Sequence, residues 1–343
     1  MQVTFYGVRG SMPAPGPTTV RYGGNTSCVH LRLNSGQNVV LDAGTGIRML
    51  GNRLADADEP ILLLLSHGHW DHIQGYPFFA PIYQPGREIV ICQGVEGNAA
   101  SLQALIRQMD GSSFPVHAKE LPSQVSTIQE VQTFLDNQAF RTRRLNLNHP
   151  GGGYAYRIEE DGVSIAYITD NELEPPNVPQ TSYPDWVDFC RDVDLLIHDA
   201  QYTSEDMPAK HGWGHSLISQ VQQLASDAHV KNVAFYHHDP DRSDSELDEI
   251  STGTAGYFQT AGGLVHTVGR RGGFVTRYSA QAGSERQHRS AGVVSRCDGV
   301  YGTHPPSADL QILIDLVARL PGRIGNQCGR IAGREVGIGY ATG

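Results

Sequence analysis

Short apolar runs recur along the first 280 residues, each too brief for a typical helix and bounded by glycine or polar turns. QVTFYGV (2–8), CVHLRL (28–33) and NVVLDA (38–43) alternate or run apolar in β-like fashion. ILLLLS (61–66) reads as a fully buried strand that delivers a histidine-rich loop at its C-terminal end, and REIVICQG (87–94) reads as another strand. Residues 96–109 have helical character. AYRIEEDGVSIAYITD (155–170) predicts a hairpin, two alternating runs about Glu159-Glu160-Asp161-Gly162. DVDLLIHDA (192–200) is a buried strand, HSLISQVQQLASDAH (215–229) an amphipathic helix opened by Ser216, and VKNVAFYHHD (230–239) the strand after it. Strands interleaved with helices imply an α/β fold. Periodicity is lost after about residue 280, where only ADLQILIDLVARL (308–320) looks helical. The expected organisation is therefore one domain over 1–278 and a poorly ordered appendage over 279–343, a flexible tail or a frameshifted or read-through end.

Composition narrows the function. A net charge of −10 with three lysines among 343 residues argues against broad electrostatic binding to nucleic acid, though not against a local basic patch. The five cysteines are scattered and form no CxxC pair, as expected of a reducing compartment without a disulfide framework. MQVTFYGVRG lacks the basic and apolar regions of a signal peptide, and ILLLL is too short to cross a membrane. A soluble cytoplasmic protein is expected.

The chemistry concentrates in SHGHWDHIQG (66–75). His67 and His69, two apart at a strand end, leave the same face, whereas Asp71 and His72 follow as the chain turns and face a second point. Imidazole nitrogens with a carboxylate suit zinc, manganese or iron, and the lack of nearby cysteine argues against a closed structural zinc site. One such histidine alone would read as structural. HxHxDH directly after an apolar strand reads as a metal site.

SHGHWDH resembles the signature of the metallo-β-lactamase superfamily, and further matches follow in order over roughly residues 1–275. GVRGSMPAPGPTTVRYGGNTSCVHL resembles the opening of the branch that holds tRNA 3′-processing endonucleases (tRNase Z) and small phosphodiesterases. LDAGTG resembles the first motif, where Asp42 would orient a ligand; LNHPGGGYAYRI offers His149 and YITD offers Asp170. LLIHDAQY resembles the HEAT-type motif with Asp199 at its acidic position, GHSLISQ the HST motif with His215, and AFYHHDP the segment of the last histidine ligand. The resemblance implies a four-layer αββα sandwich with two divalent ions, zinc in the first place and manganese or iron as alternatives. One ion would be held by His67, His69 and His149, the other by Asp71, His72 and His237, with Asp170 bridging. His237 fits the strand end better than the adjacent His238, which would be the other choice.

The same resemblance implies attack by a hydroxide held between the ions, in which Asp71 takes part, and protonation of the leaving oxygen by His215 held by Asp199. Alternatively His215 caps or packs at a helix start and Asp199 is a strand-end carboxylate. Gly212 and Gly214 suggest a loosely packed, approachable backbone before His215. Arg9, Ser11 and Arg21 could contact an anion or simply belong to a glycine-rich turn; Trp70 reads as a hydrophobic wedge; Tyr76, Phe78 and Phe79 read as a pocket wall or a packed loop; His211 could meet substrate, and His198 packs.

His149 and Asp170 are joined by a short hairpin, which leaves no room for the extended tRNA arm of long-substrate enzymes. The expected substrate is a small phosphodiester such as a cyclic nucleotide, with long nucleic acid and membranes not expected as partners and a homodimer allowed by the branch. HDAQY in place of HEAT and HSL in place of HST put the proton relay in doubt more than the metals. The rivals are a tRNA or RNA 3′-end endonuclease, a thioester or lactone hydrolase of the same fold, and a non-catalytic metal-bearing binding module.

Overall fold

The computed structural model describes residues 1–92 and 100–252, together with three later strands. The expected appendage over 279–343, and the helix within it, lie outside the described residues. Everything described belongs to the unit Met1–Ser284.

Two sheets form the described framework. The first contains β1 (Gln2–Gly7), β2 (Cys28–Arg32), β3 (Asn38–Leu41), β4 (Ile61–Leu64), β5 (Glu88–Cys92) and β6 (Gln124–Ile128). The second contains β7 (Arg141–Asn146), β8 (Tyr154–Glu160), β9 (Val163–Ile168), β10 (Leu195–Asp199), β11 (Val233–Tyr236) and β12 (Phe258–Thr260); β13 (Leu264–Thr267) and β14 (Val275–Tyr278) return to the first. The orders are β14-β13-β1-β2-β3-β4-β5-β6 and β12-β11-β10-β9-β8-β7. The helices are α1 (Ile47–Leu54), α2 (Ala100–Arg107), α3 (Val131–Asp136), α4 (Tyr183–Cys190), α5 (Ile218–Asp227) and α6 (Asp244–Thr252).

Side-chain alternation within strands sorts the core into three layers. On β4, Leu62 and Leu64 pack between the sheets, while Ile61 and Leu63 pack outward with Ile47 and Leu50 of α1 and Leu102 and Leu105 of α2. On β9, Ile165 and Tyr167 face the inter-sheet core, while Ala166 and Ile168 meet Trp186 and Phe189 of α4 and Leu224 of α5. The result is the four-layer αββα sandwich. It also explains why β9 is buried at every position, where alternation of apolar and polar residues was expected: β9 runs between β8 and β10, covered on both faces. The hairpin turn is Asp161-Gly162 with φ of 53° and 72°, the left-handed pair that a two-residue turn between twisted strands requires. Ser216 does not cap α5, which begins after Leu217; its Oγ donates instead to the Asn171 carbonyl at 2.5 Å.

β3 and β4 run parallel, as do β9, β10 and β11, so their C-terminal ends gather the loops that carry Asp42, His67, His69, Asp71, His72, Asp170, His215 and His237. The opening segment is locked there by Arg9, which belongs to the packing and not to an anion site. Its buried guanidinium donates to the carbonyls of Gly23 (2.9 Å), Asp239 (3.2 Å) and Arg242 (2.6 Å) and lies 3.7 Å from Asp244. Arg21 pairs with Asp248 on the surface. Among the described residues no helix is long and apolar enough to cross a membrane.

Arg9→Ala leaves those carbonyls and Asp244 without their buried donor, so it is expected to lower unfolding free energy by about 3 kcal/mol. Urea denaturation measures this, and a loss under about 1 kcal/mol would rule out the clamp.

Candidate metal centre

Several strand ends, a short loop and one turn of 3-10 helix build the site. Asp42 follows β3, and β4 leads through Ser66 into His67 and His69. The 3-10 turn Trp70–His72 then swings Asp71 and His72 inward. His149 comes from the β7–β8 loop, Asp170 follows β9, and His237 follows β11. Asp42, Asp170 and His237 adopt left-handed backbone, with φ of 62°, 49° and 56°. Chain direction therefore reverses just beyond each strand and aims the side chain back across the sheet ends.

Two groups of ligand-type atoms converge, each within 4.8 Å: His67, His69, His149 and Asp170 in one, and Asp71, His72, Asp170 and His237 in the other. Asp170 belongs to both. Its Oδ2 lies 3.7 Å from His67 Nε2 and 3.6 Å from His149 Nε2, and its Oδ1 lies 3.0 Å from His72 Nε2 and 3.1 Å from His237 Nε2. Asp71 Oδ2 is 3.1 Å from His237 Nε2 and 3.2 Å from His72 Nε2 and accepts the Ser11 amide at 2.8 Å. His238, next to His237, instead sets its ring 6.3 Å from that of Tyr22.

Proton placement on these rings suits cations. His72 Nδ1 donates to Asp42 (2.8 Å), His149 Nδ1 to the Gly214 carbonyl (3.0 Å), His237 Nδ1 to Gln201 Oε1 (3.0 Å) and His67 Nδ1 to Ser66 Oγ (3.0 Å). With Nδ1 donating outward, each ring can offer an Nε2 lone pair inward to a cation. His67 Nε2 and His72 Nε2 are buried without a hydrogen-bond partner, and His149 Nε2 faces His69 Nδ1 at 3.0 Å. Converging lone pairs beside shared carboxylates are what divalent ions satisfy. These seven residues fit two such ions.

Electrostatics point the same way. Burial, with repulsion from neighbouring imidazoles, pushes His67 well below the ordinary histidine range, and burial brings His149 down to about 4. Both rings thus stay neutral, as ligands must. His72 differs: burial opposes its charge, but Asp71, Asp170 and Asp42 together raise it well above the ordinary value. The pocket between these carboxylates calls for positive charge. His69 is exposed, which opens the first group to solvent.

Beside this centre His215 donates Nδ1–H to Asp199 at 2.8 Å, and its ring stacks on that of His237 at 5.1 Å. Burial disfavours its charged form, yet Asp199, together with Asp170 and Asp71, outweighs burial and pushes His215 up to about 9. Asp199 is itself fixed by the amides of Gln201 (3.0 Å) and Asn171 (3.2 Å). The backbone before His215 is tightly held, contrary to the expectation from its glycines. Gly214 has φ 89°, and a Cβ there would come within 2.1 Å of His149 Nδ1. The buried carboxylate of Glu172 accepts the amides of Gly212 (2.9 Å) and Gly214 (3.0 Å). Glu172 escaped the sequence reading because it belongs to no motif, and Gln201, although it lies within LLIHDAQY, because its side chain acts on His237, distant in the chain.

Other expectations divide. Trp70 is 73% exposed and so wedges nothing, whereas Tyr76 and Phe79 are buried in the α1 core, the packed-loop alternative. His198 is buried as expected, and His211 Nε2 donates to the Glu174 carbonyl at 3.0 Å.

This fold and this convergence of histidines and carboxylates define a metal-dependent hydrolase of the β-lactamase type. Residues 37–238 match the β-lactamase superfamily domain, and the chain belongs to that superfamily. Ribonuclease Z of Natronomonas pharaonis is 25% identical over 305 residues, covering 74% of this chain and 94% of that protein. Among solved structures, a diphosphatase of the PhnP family superposes with a TM-score of 0.55 at 18% identity, covering 76% of this chain and 94% of the other. The short form of human tRNase Z gives 0.52 at 20% identity, covering 78% and 100%.

Asp170→Asn removes the shared charge from both groups, so bound metal should fall from about two equivalents to below one. Elemental analysis after dialysis reads this; two retained equivalents would overturn the shared-ligand assignment.

Proposed function

We propose that the chain is a dinuclear-metal phosphodiesterase acting on a small phosphodiester such as a cyclic nucleotide. His67, His69 and His149 would hold one ion, Asp71, His72 and His237 the other, and Asp170 would serve both. The observation that carries this reading is the pair of ligand groups joined at Asp170, with a buried imidazole–carboxylate pair alongside. Zinc suits the nitrogen-rich donor set, with manganese or iron as the alternatives. Bound there, two divalent ions neutralise charge on the phosphate and lower the pKa of water to about 7.

The chain's own groups do the remainder. Asp71, held by the Ser11 amide, and Asp170 orient the incoming water oxygen toward phosphorus. The incoming water gives up a proton to solvent; as the new P–O bond forms and the ester P–O bond breaks, the leaving oxygen takes the Nε2 proton of His215, which Asp199 holds as an imidazolium beforehand and which is recharged from solvent afterwards. The net charge of −10 and the tight Asp161-Gly162 hairpin, which carries no extended arm, support a compact substrate. The buried free cysteines Cys28, Cys92 and Cys190 suit work in the cytoplasm.

RNA 3′-end cleavage is the second reading, favoured by the ribonuclease Z likeness along nearly the whole of that relative. A panel of bis(4-nitrophenyl) phosphate, cyclic nucleotides, a 3′-extended tRNA and a thioester separates the readings. Cleavage of the small diesters, reduced more than about a hundredfold by His67→Ala, is the expected result. Efficient tRNA cleavage would replace it with the second reading, thioester cleavage alone would overturn both, and silence throughout would favour a binding module.

The relay has its own signature in pH. His215 acts while protonated, so activity falls as pH rises through its pKa. Asp199→Asn removes the main charge that raises it and leaves the burial that lowers it. The alkaline limb should therefore move toward acid, with maximal rate down by about 10²-fold. An unmoved limb in the pH–rate profile would exclude His215 as the proton donor.

A further inference from the structure

A cleft of about 300 Å³ opens beside His149 and is unused by the chemistry above. One wall is the turn after Glu172, with Pro175, Pro176 and Val178; the other is formed by His149, Pro150 and Gly212. The walls are tied together. Gly212 N–H donates to the Glu172 carboxylate at 2.9 Å, and His211 Nε2 donates to the Glu174 carbonyl at 3.0 Å. Gly212 has φ 88°, and a Cβ there would stand 3.1 Å from Pro176 Cγ, so a larger residue would close the space. The cleft is thus preformed, with ring faces fixed by proline.

Its charge is one-sided. Among the described residues no lysine or arginine lines it, and its buried carboxylate, Glu172, is engaged by two backbone amides and lies 3.6 Å from His211 Nε2. A second phosphate placed there would meet a buried carboxylate and, among the described lining residues, no lysine or arginine. An uncharged ring would meet proline, valine and the amide side chains of Asn177 and Gln180. The cleft adjoins the candidate metal centre, because His149 belongs to both.

We infer that this cleft is a subsite for an uncharged, planar ring on the substrate, a nucleobase or an aryl group, and that it rejects a second anionic group. The inference rests on the phosphodiesterase reading and names the substrate class within it.

Two probes that release the same 4-nitrophenolate differ only in the group retained: bis(4-nitrophenyl) phosphate carries a ring there and methyl 4-nitrophenyl phosphate does not. The ring-bearing diester should show a KM about tenfold lower, and Asn177→Trp or Gln180→Trp, both at exposed turn positions that fill the cleft, should shrink that ratio to within about twofold. Saturation-transfer NMR with adenosine, which needs no turnover, should give a signal in the parent protein and lose it in both variants. A KM ratio unchanged by both variants, with no adenosine signal, would overturn the subsite while leaving the hydrolase intact. Adenosine binding that the filled variants lose, without cleavage of any diester, would keep the subsite and refute the phosphodiesterase reading.

Discussion

The buried carboxylate of Asp42 is the interaction on which the site depends. It accepts the amide and hydroxyl of Ser66, each at 2.7 Å, His72 Nδ1 at 2.8 Å and the hydroxyl of Tyr167 at 2.8 Å. Ser66 follows β4 in the first sheet, whereas Tyr167 lies on β9 in the second. One carboxylate therefore ties the two sheets where the site forms, sets the start of the histidine loop and fixes the tautomer of His72. A buried charge so surrounded is costly to disturb, because any lost partner leaves a desolvated oxygen.

Backbone strain accompanies this arrangement. Ser11, Asp42, Asp170 and His237 all take left-handed φ, a conformation costing about 1–2 kcal/mol for a residue with a Cβ. Each is held by packing and hydrogen bonds at the centre. The Ser11 amide reaches Asp71, and the hydroxyl of Thr169 donates to Asp170 at 2.7 Å. Aspartate, with its short polar side chain, tolerates this region better than most residues, which suits it to strand ends that must turn at once. The site is thus preorganised: charge and lone pairs already point inward before any substrate arrives.

A similar economy holds the flank of the centre. Glu172 fixes two amides of the 212–214 segment, Gly214 fixes His149 through its carbonyl, and the chain then continues into His215. One short segment therefore positions a candidate ligand, a candidate proton donor and one wall of the adjoining cleft. Movement there would be felt by all three, which is why it is pinned by a buried carboxylate and not left as a loose glycine loop.

The strand pattern and the loop SHGHWDH were legible in sequence because their determinants are local: short apolar runs, turn glycines and four ligand-type side chains within six positions. His149, Asp170, His215 and His237 could be named only through motif resemblance, since nothing in their own neighbourhoods distinguishes a ligand from a packed or capping residue. Trp70 and the pair Gly212 and Gly214 misled, because hydrophobicity does not say which way a side chain turns and glycine does not say how closely a neighbour approaches. By itself the sequence determined the α/β class and the chemistry of one loop. Tertiary structure decided which distant groups share Asp170, which nitrogen of each ring faces inward and which walls enclose the cleft. Those depend on strand ends from two sheets meeting, and no local pattern encodes a distance across them.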